Sequence, residues 1–85
     1  MKRAIVFTSP TCGPCHQLAE ALAGVDRIEY VDATANPDMV KRYHVRSVPT
    51  AIVLHGGREY ATFIGYSSEI ARTIIQAVGG RNVKS

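Results

Sequence analysis

With 85 residues, the chain has material for one packed core and so for a single domain over 1–85. Its apolar share of 46% and charged share of 20% are those of ordinary globular proteins, which excludes disordered, collagen-like and disulfide-scaffold classes, and its longest apolar run, Thr50 to Leu54, falls far short of the roughly 20 residues of a membrane span. The net charge of +3 comes from Lys and Arg scattered from Lys2 to Lys84 without a cluster; this argues against nucleic acid as a partner and leaves a solvated surface, or the steering of acidic protein partners, as its meaning. The basic start Met1-Lys2-Arg3 is followed by an apolar stretch that ends at Phe7 with no small-residue cleavage site, so a cytoplasmic location is expected.

Arg3 to Thr8 contains Ala4-Ile5-Val6-Phe7, a run rich in strand formers and too short for a helix, and predicts a buried first strand. Ser9-Pro10-Thr11 forms the loop after it. From Gly13 onward, Leu18, Ala19, Leu22 and Ala23 recur at helical spacing, with Pro14 in the first turn and Gly24 as a stop. Ile28 to Val31 is a second strand, parallel to the first because a strand-helix-strand unit in one sheet crosses over right-handed. Asn36-Pro37-Asp38 marks the start of a brief helix to Tyr43, with Asn36 as its cap. Thr50 to His55 and Glu59 to Ile64 are strands split by Gly56-Gly57-Arg58, an antiparallel hairpin with positive backbone angles at the glycines. Ser67 or Ser68 caps a last helix with Ile70, Ile74, Ile75 and Val78 on one face, ended by Gly79-Gly80; Arg81 to Ser85 is expected to fray. The order β-α-β-α-β-β-α implies an α/β fold, a four-stranded mixed central sheet flanked by three helices.

Cys12-Gly13-Pro14-Cys15 carries the chemistry. Two cysteines three positions apart across a helix start lie close enough to form a disulfide and to open it without moving the fold. At the helix N-terminus the free N–H groups and the dipole favour a thiolate, so Cys12 is the nucleophile; Cys15, one turn inward and more buried, suits the resolving thiol. Gly13 leaves the approach to Cys12 open, and Pro14 stiffens the turn and removes one amide, so both tune the redox poise. Two other uses of the pair remain open. Zinc could take Cys12 and Cys15 with two of His16, His44 and His55, but no second closely spaced ligand pair exists, and no metal is expected. A purely structural disulfide closing so short a loop would constrain little of the unfolded chain.

With Cys-Gly-Pro-Cys after a strand, the chain resembles the thioredoxin family over about Arg3 to Val78, and so implies a minimal thioredoxin fold. Val48-Pro49-Thr50 resembles the family's cis-proline loop; the resemblance implies that Pro49 is cis beside the cysteine pair and that the Val48 backbone pairs with an extended substrate segment. It likewise implies substrate contact at Thr11 and at Gly65, where a partner backbone comes close; Asn36-Pro37, Arg46 and Gly56-Gly57 match further landmarks. The additional N-terminal strand and helix of full-length thioredoxins have no counterpart here, so the likeness is to short archaeal and phage thioredoxins and glutaredoxin-like redoxins. Where the family carries a buried aspartate below the resolving cysteine this chain has Val6, and Thr8 and Thr11 stand at tryptophan positions. Cys15 must therefore lose its proton to water or to another group. His16 is read as solvent-facing, with no catalytic role.

The expected function is a protein disulfide reductase with no cofactor beyond the Cys12 and Cys15 redox pair. It would be a monomer serving disulfide-containing proteins such as ribonucleotide reductase and drawing electrons from a thioredoxin reductase or glutathione. A glutaredoxin that uses glutathione is the second reading, weakened because Arg46 alone is a candidate for its carboxylates. A binding module indifferent to redox state is the third.

Overall fold

The computed structural model describes residues 1–79. Its elements are β1 (Lys2–Thr8), α1 (Gly13–Ala21), β2 (Ile28–Asp32), α2 (Pro37–Arg42), β3 (Thr50–His55), β4 (Arg58–Ile64) and α3 (Ser68–Val78). The strands form one sheet in the order β2-β1-β3-β4, with β1 parallel to β2 and antiparallel to β3, and β4 antiparallel to β3. The expected mixed four-stranded sheet with three helices is thus the observed fold. Gly80 and the expected frayed tail lie outside the described residues.

Successive side chains of a strand point to opposite faces, and β1 needs cover on both. Ala4 and Val6 join Leu18, Leu22, Val53 and Ile74 in the layer under α1 and α3. Ile5 and Phe7 join Val31, Ile52 and Leu54 in the layer under α2, where Met39, Val40 and Tyr43 close the far side. This two-sided burial is why the run Ala4 to Phe7 is continuously apolar rather than alternating. The six-residue α2 is too short to cover the whole sheet, and Ile64 on the edge strand β4 stays exposed; Tyr60, also exposed, lies under the Lys2 ammonium beside His55.

The turns follow the glycines. Gly56 and Gly57 have φ of 61° and 82°, the conformation in which a two-residue hairpin turn matches the strand twist and a β-carbon is strained. Strand β4 begins at Arg58, which pairs with His55, and Tyr60 is the extra residue of a bulge between Val53 and Leu54. Gly79 ends α3 in the left-handed region at φ 65°, where Arg27 adds a bond from Nη1 to the Val78 carbonyl at 3.0 Å, a cation at the negative end of the helix dipole.

The two predicted caps behave differently. Ser67 Oγ accepts the Ile70 N–H at 3.0 Å and caps α3. Asn36 stands at the cap position of α2 but makes no cap bond; its Nδ2 donates to the Asp32 carbonyl at 2.9 Å, so it ties α2 back to the end of β2. Helix α1 ends at Ala21, earlier than its apolar repeat suggests: Leu22, buried in the core, is the C-cap residue, the Ala23 N–H tightens to the Glu20 carbonyl, and Gly24 turns the chain at φ 80°.

Ser67→Ala should lower stability by about 1 kcal/mol through loss of the cap. Ile74→Ala, at a position with 0% exposure, should cost about 2–5 kcal/mol through the cavity it leaves. Urea unfolding of the two variants beside the parent checks both the magnitudes and their order.

Candidate active site

Strand β1 stops at Thr8, and the loop that leaves it is held by a bond from the Cys12 N–H to the Ser9 carbonyl at 3.3 Å. Cys12 is the N-cap of α1, with extended backbone angles, and its Sγ accepts the Cys15 N–H at 3.1 Å. A cysteine sulfur thereby occupies the place that a Ser or Asp oxygen takes at other helix starts, facing free N–H groups and the positive end of the dipole. Pro14 sits in the first turn, where no N–H partner is lost. A β-carbon at Gly13 would meet nothing within 4 Å, so packing does not demand the glycine, and the face over Cys12 stays open.

Cys12 and Cys15 form a disulfide with their α-carbons 5.2 Å apart. Their environments differ as the sequence anticipates: Cys12 is partly exposed, and Cys15 is buried at 3% exposure against the core. Among the described residues, no three His, Cys, Asp or Glu side chains are grouped to hold a metal ion.

The Val48–Pro49 peptide bond is cis and Pro49 is fully buried. The loop is braced on both sides: Thr50 Oγ1 donates to the Ser47 carbonyl at 2.6 Å, and the Gly65 N–H donates to the Pro49 carbonyl at 2.8 Å. Pro49 and Gly65, distant in sequence, are therefore direct neighbours. Val48, Ser9, Ala33, Val45 and Arg46 line one groove of about 330 Å³, which joins the proline loop to the loop that carries Cys12. Thr11 is exposed on that second loop and does not line the groove.

A second cleft, of about 260 Å³, lies behind Cys15 and is lined by Cys15, His16, Pro10, Tyr30 and Asp32 among others. Sequence reasoning had not connected Tyr30 and Asp32 with the cysteines. Strand pairing explains their presence: Tyr30 is the register partner of Val6, and Asp32 of Thr8, so both side chains fall on the face of the sheet that α1 covers. Their alternation with the buried Val31 was the available signal, but it acquires meaning only once β2 is placed beside β1. Asp32 Oδ1 accepts from the Thr34 hydroxyl at 2.6 Å and the Thr34 N–H at 2.9 Å, which holds the carboxyl below its ordinary range. Burial pushes the Tyr30 phenol above its ordinary value. His16 is exposed, with Nε2 3.4 Å from the Pro10 carbonyl oxygen.

Residues 2–77 match the thioredoxin family profile. The chain is 32% identical over 72 residues to the thioredoxin of Bacillus subtilis, an alignment covering 76% of this chain and 69% of that protein. It is 35% identical over 68 residues to the chloroplastic thioredoxin M4 of Arabidopsis thaliana, covering 72% of this chain and 35% of the relative, so it spans about a third of that protein's length. The thioredoxin of Malassezia sympodialis superposes with a TM-score of 0.77 at 21% identity, over 91% of this chain and 74% of that one.

The Asp32 contacts make a prediction by themselves. Thr34→Val removes the hydroxyl donor, so the Asp32 carboxyl should titrate closer to the ordinary aspartate value, as followed by carboxyl ¹³C chemical shifts. Because the folded-state value is depressed, the stabilisation it brings is full above the unfolded pKa and disappears as pH falls through the folded one, so the variant should also show a weaker loss of stability on acidification.

Proposed function

The chain belongs to the thioredoxin family, a family of thiol–disulfide oxidoreductases, and we propose that it acts as a protein dithiol reductant working through Cys12 and Cys15. The observation that carries this reading is the placement of Cys12 Sγ at the N-cap of α1, accepting the Cys15 N–H while bonded to the buried Cys15 sulfur. In the reduced protein, the same N–H and dipole favour the Cys12 thiolate.

The Cys12 thiolate attacks one sulfur of a substrate disulfide; a mixed disulfide forms and the first substrate sulfur leaves as a thiolate. Cys15, deprotonated, then attacks Cys12 Sγ, the bond from Cys12 to substrate breaks, and the second substrate thiolate departs with the electron pair. The substrate gains two electrons and the protein is left with its Cys12–Cys15 disulfide, the state seen here. Burial of Cys15 suits this order, since it keeps the second sulfur away from bulky substrates until the mixed disulfide delivers Cys12 to it.

The groove between Val48 and Ser9, next to the loop that carries Cys12, supports binding of an extended substrate segment; Gly65, bonded to Pro49, and the exposed Thr11 are proposed as further substrate contacts. Ribonucleotide reductase is a suitable acceptor, a thioredoxin reductase a suitable electron source, and the cytoplasm, whose thiols are kept reduced, a suitable location. The reading in which glutathione supplies the electrons gains one observation: Arg46 lines both this groove and an adjoining cleft that it shares with Lys41 and His44, so more than one cation is at hand for its carboxylates.

In the reduction of insulin disulfides, Cys12→Ser should abolish turnover, and Cys15→Ser should accumulate a mixed disulfide visible by mass spectrometry. Unimpaired turnover by Cys12→Ser would sink the mechanism. Stopped-flow reduction of the Cys12–Cys15 disulfide by thioredoxin reductase should outpace reduction by millimolar glutathione; the reverse order would make the chain a glutaredoxin. Full cellular function in a Cys12→Ser, Cys15→Ser double variant would instead mark it as a binding module.

A further inference from the structure

Resolution of the mixed disulfide requires Cys15 to lose a proton, and the buried sulfur needs an acceptor within reach. On the face of β1 beneath α1 the side chains are Ala4, Val6 and Thr8, none of which accepts a proton in the neutral range. The cleft behind Cys15 offers three titratable groups, His16 from α1 and Tyr30 and Asp32 from β2. At about 260 Å³, its mainly apolar lining is interrupted by His16, Tyr30 and Asp32, and it has room for several waters held by those groups.

We propose that His16 takes the Cys15 proton through water in this cleft, and that Asp32 is the fixed negative charge across it that supports the imidazolium. The proposal rests on the dithiol mechanism above. The proton leaves the Cys15 sulfur for water as that water gives one to His16. The Cys15 thiolate attacks Cys12 Sγ, the Cys12–Cys15 bond forms, the bond from Cys12 to substrate breaks, and the departing thiolate or solvent takes the proton from His16.

The choice among the three groups follows from their chemistry. Asp32 is held below the ordinary aspartate range by Thr34, which makes it a poorer proton acceptor than an unperturbed carboxylate. It remains a carboxylate, with Oδ1 occupied by Thr34. Tyr30 is driven upward by burial and remains a neutral phenol able to order a water. Imidazole is the side-chain type whose proton equilibrium is matched to neutral solution. The contact of Nε2 with the Pro10 carbonyl keeps the ring at the cleft wall and leaves Nδ1 as the acceptor when Nε2 carries the proton. The titratable groups around His16 are Cys12, Cys15 and Glu20 on or capping its own helix and Tyr30 and Asp32 from β2; the loop Ser9-Pro10-Thr11 adds none.

Reduced protein mixed with 5,5′-dithiobis(2-nitrobenzoate) in a stopped-flow instrument releases one chromophoric thiolate in attack by Cys12 and a second in resolution by Cys15. His16→Gln, which keeps a donor for the Pro10 carbonyl, should slow the second release about tenfold at pH 7 and move its pH–rate inflection upward, with added imidazole restoring the rate. Asp32→Asn should move the inflection the other way, since the imidazolium loses its counter-charge. A second-phase profile for His16→Gln that overlays the parent, or a deficit confined to the first release, overturns the proposal. Absence of any first release in the parent would overturn the dithiol reading and this inference with it.

Discussion

The closure of both faces of β1 is the constraint on which the site depends. Ala4, Ile5, Val6 and Phe7 are between 0% and 2% exposed, shared between the layer under α1 and α3 and the layer under α2. A strand packed so completely cannot slip, because a shift of one residue would exchange its two sets of side chains between layers of different shape. Its end at Thr8 is therefore fixed, and with it the point at which the chain turns into Ser9-Pro10-Thr11 and delivers Cys12 to the start of α1. Leu18 and Leu22, buried against Val6, then set the rotation of the helix, which turns Cys15 inward and leaves Gly13 and Pro14 outward.

This arrangement gives two chemically identical side chains different surroundings. Both sulfurs belong to the first turn of one helix, yet one caps it at the surface and the other is the first member of its buried face. The Cys15 N–H is bonded to the Cys12 sulfur, so in the proposed mechanism the group that stabilises charge on Cys12 is supplied by the same residue that later attacks it. The opposing wall is assembled separately, by a short bond across the turn before β3 and by a bond from Gly65 after β4. Both partners of the site thus stand at the ends of strands in one sheet, where their separation is governed by strand pairing rather than by loop flexibility.

Strand β2 contributes less to the core and more to the surroundings of the site. Among its side chains Val31 is the buried one, while Tyr30 and Asp32 face the underside of α1 from the partly open edge of the sheet. An apolar Val6 in the central strand and polar groups on the adjacent edge strand make a coherent pair: the core beneath α1 is apolar, and the polar side chains Tyr30 and Asp32 stand to the side of Cys15. Asn36 belongs to the same design, since its bond to the Asp32 carbonyl and the Thr34 bonds to the Asp32 carboxylate fasten the end of β2 where it forms the cleft wall.

Much was legible in the chain because the signals are local. The apolar run from Ala4 to Phe7, the Gly56-Gly57 turn, the Ser67 cap and the helix start at Gly13 each follow from the conformational preferences of a few consecutive residues, and each stands where expected. The unequal exposure of Cys12 and Cys15 was legible for the same reason, since a helix start and a three-residue spacing suffice to make one sulfur outer and the other inner. The exceptions are local: Asn36 bonds to Asp32 instead of capping α2, and α1 stops at Ala21, where the last turn tightens ahead of the left-handed Gly24. Tertiary structure alone decided that Gly65 braces Pro49, that Ser9 and Val48 share a groove, and that His16, Tyr30 and Asp32 gather behind Cys15. The physical reason is that strand pairing and helix packing select among distant residues by register and by facing surface, and neither is written in the neighbours of Cys12.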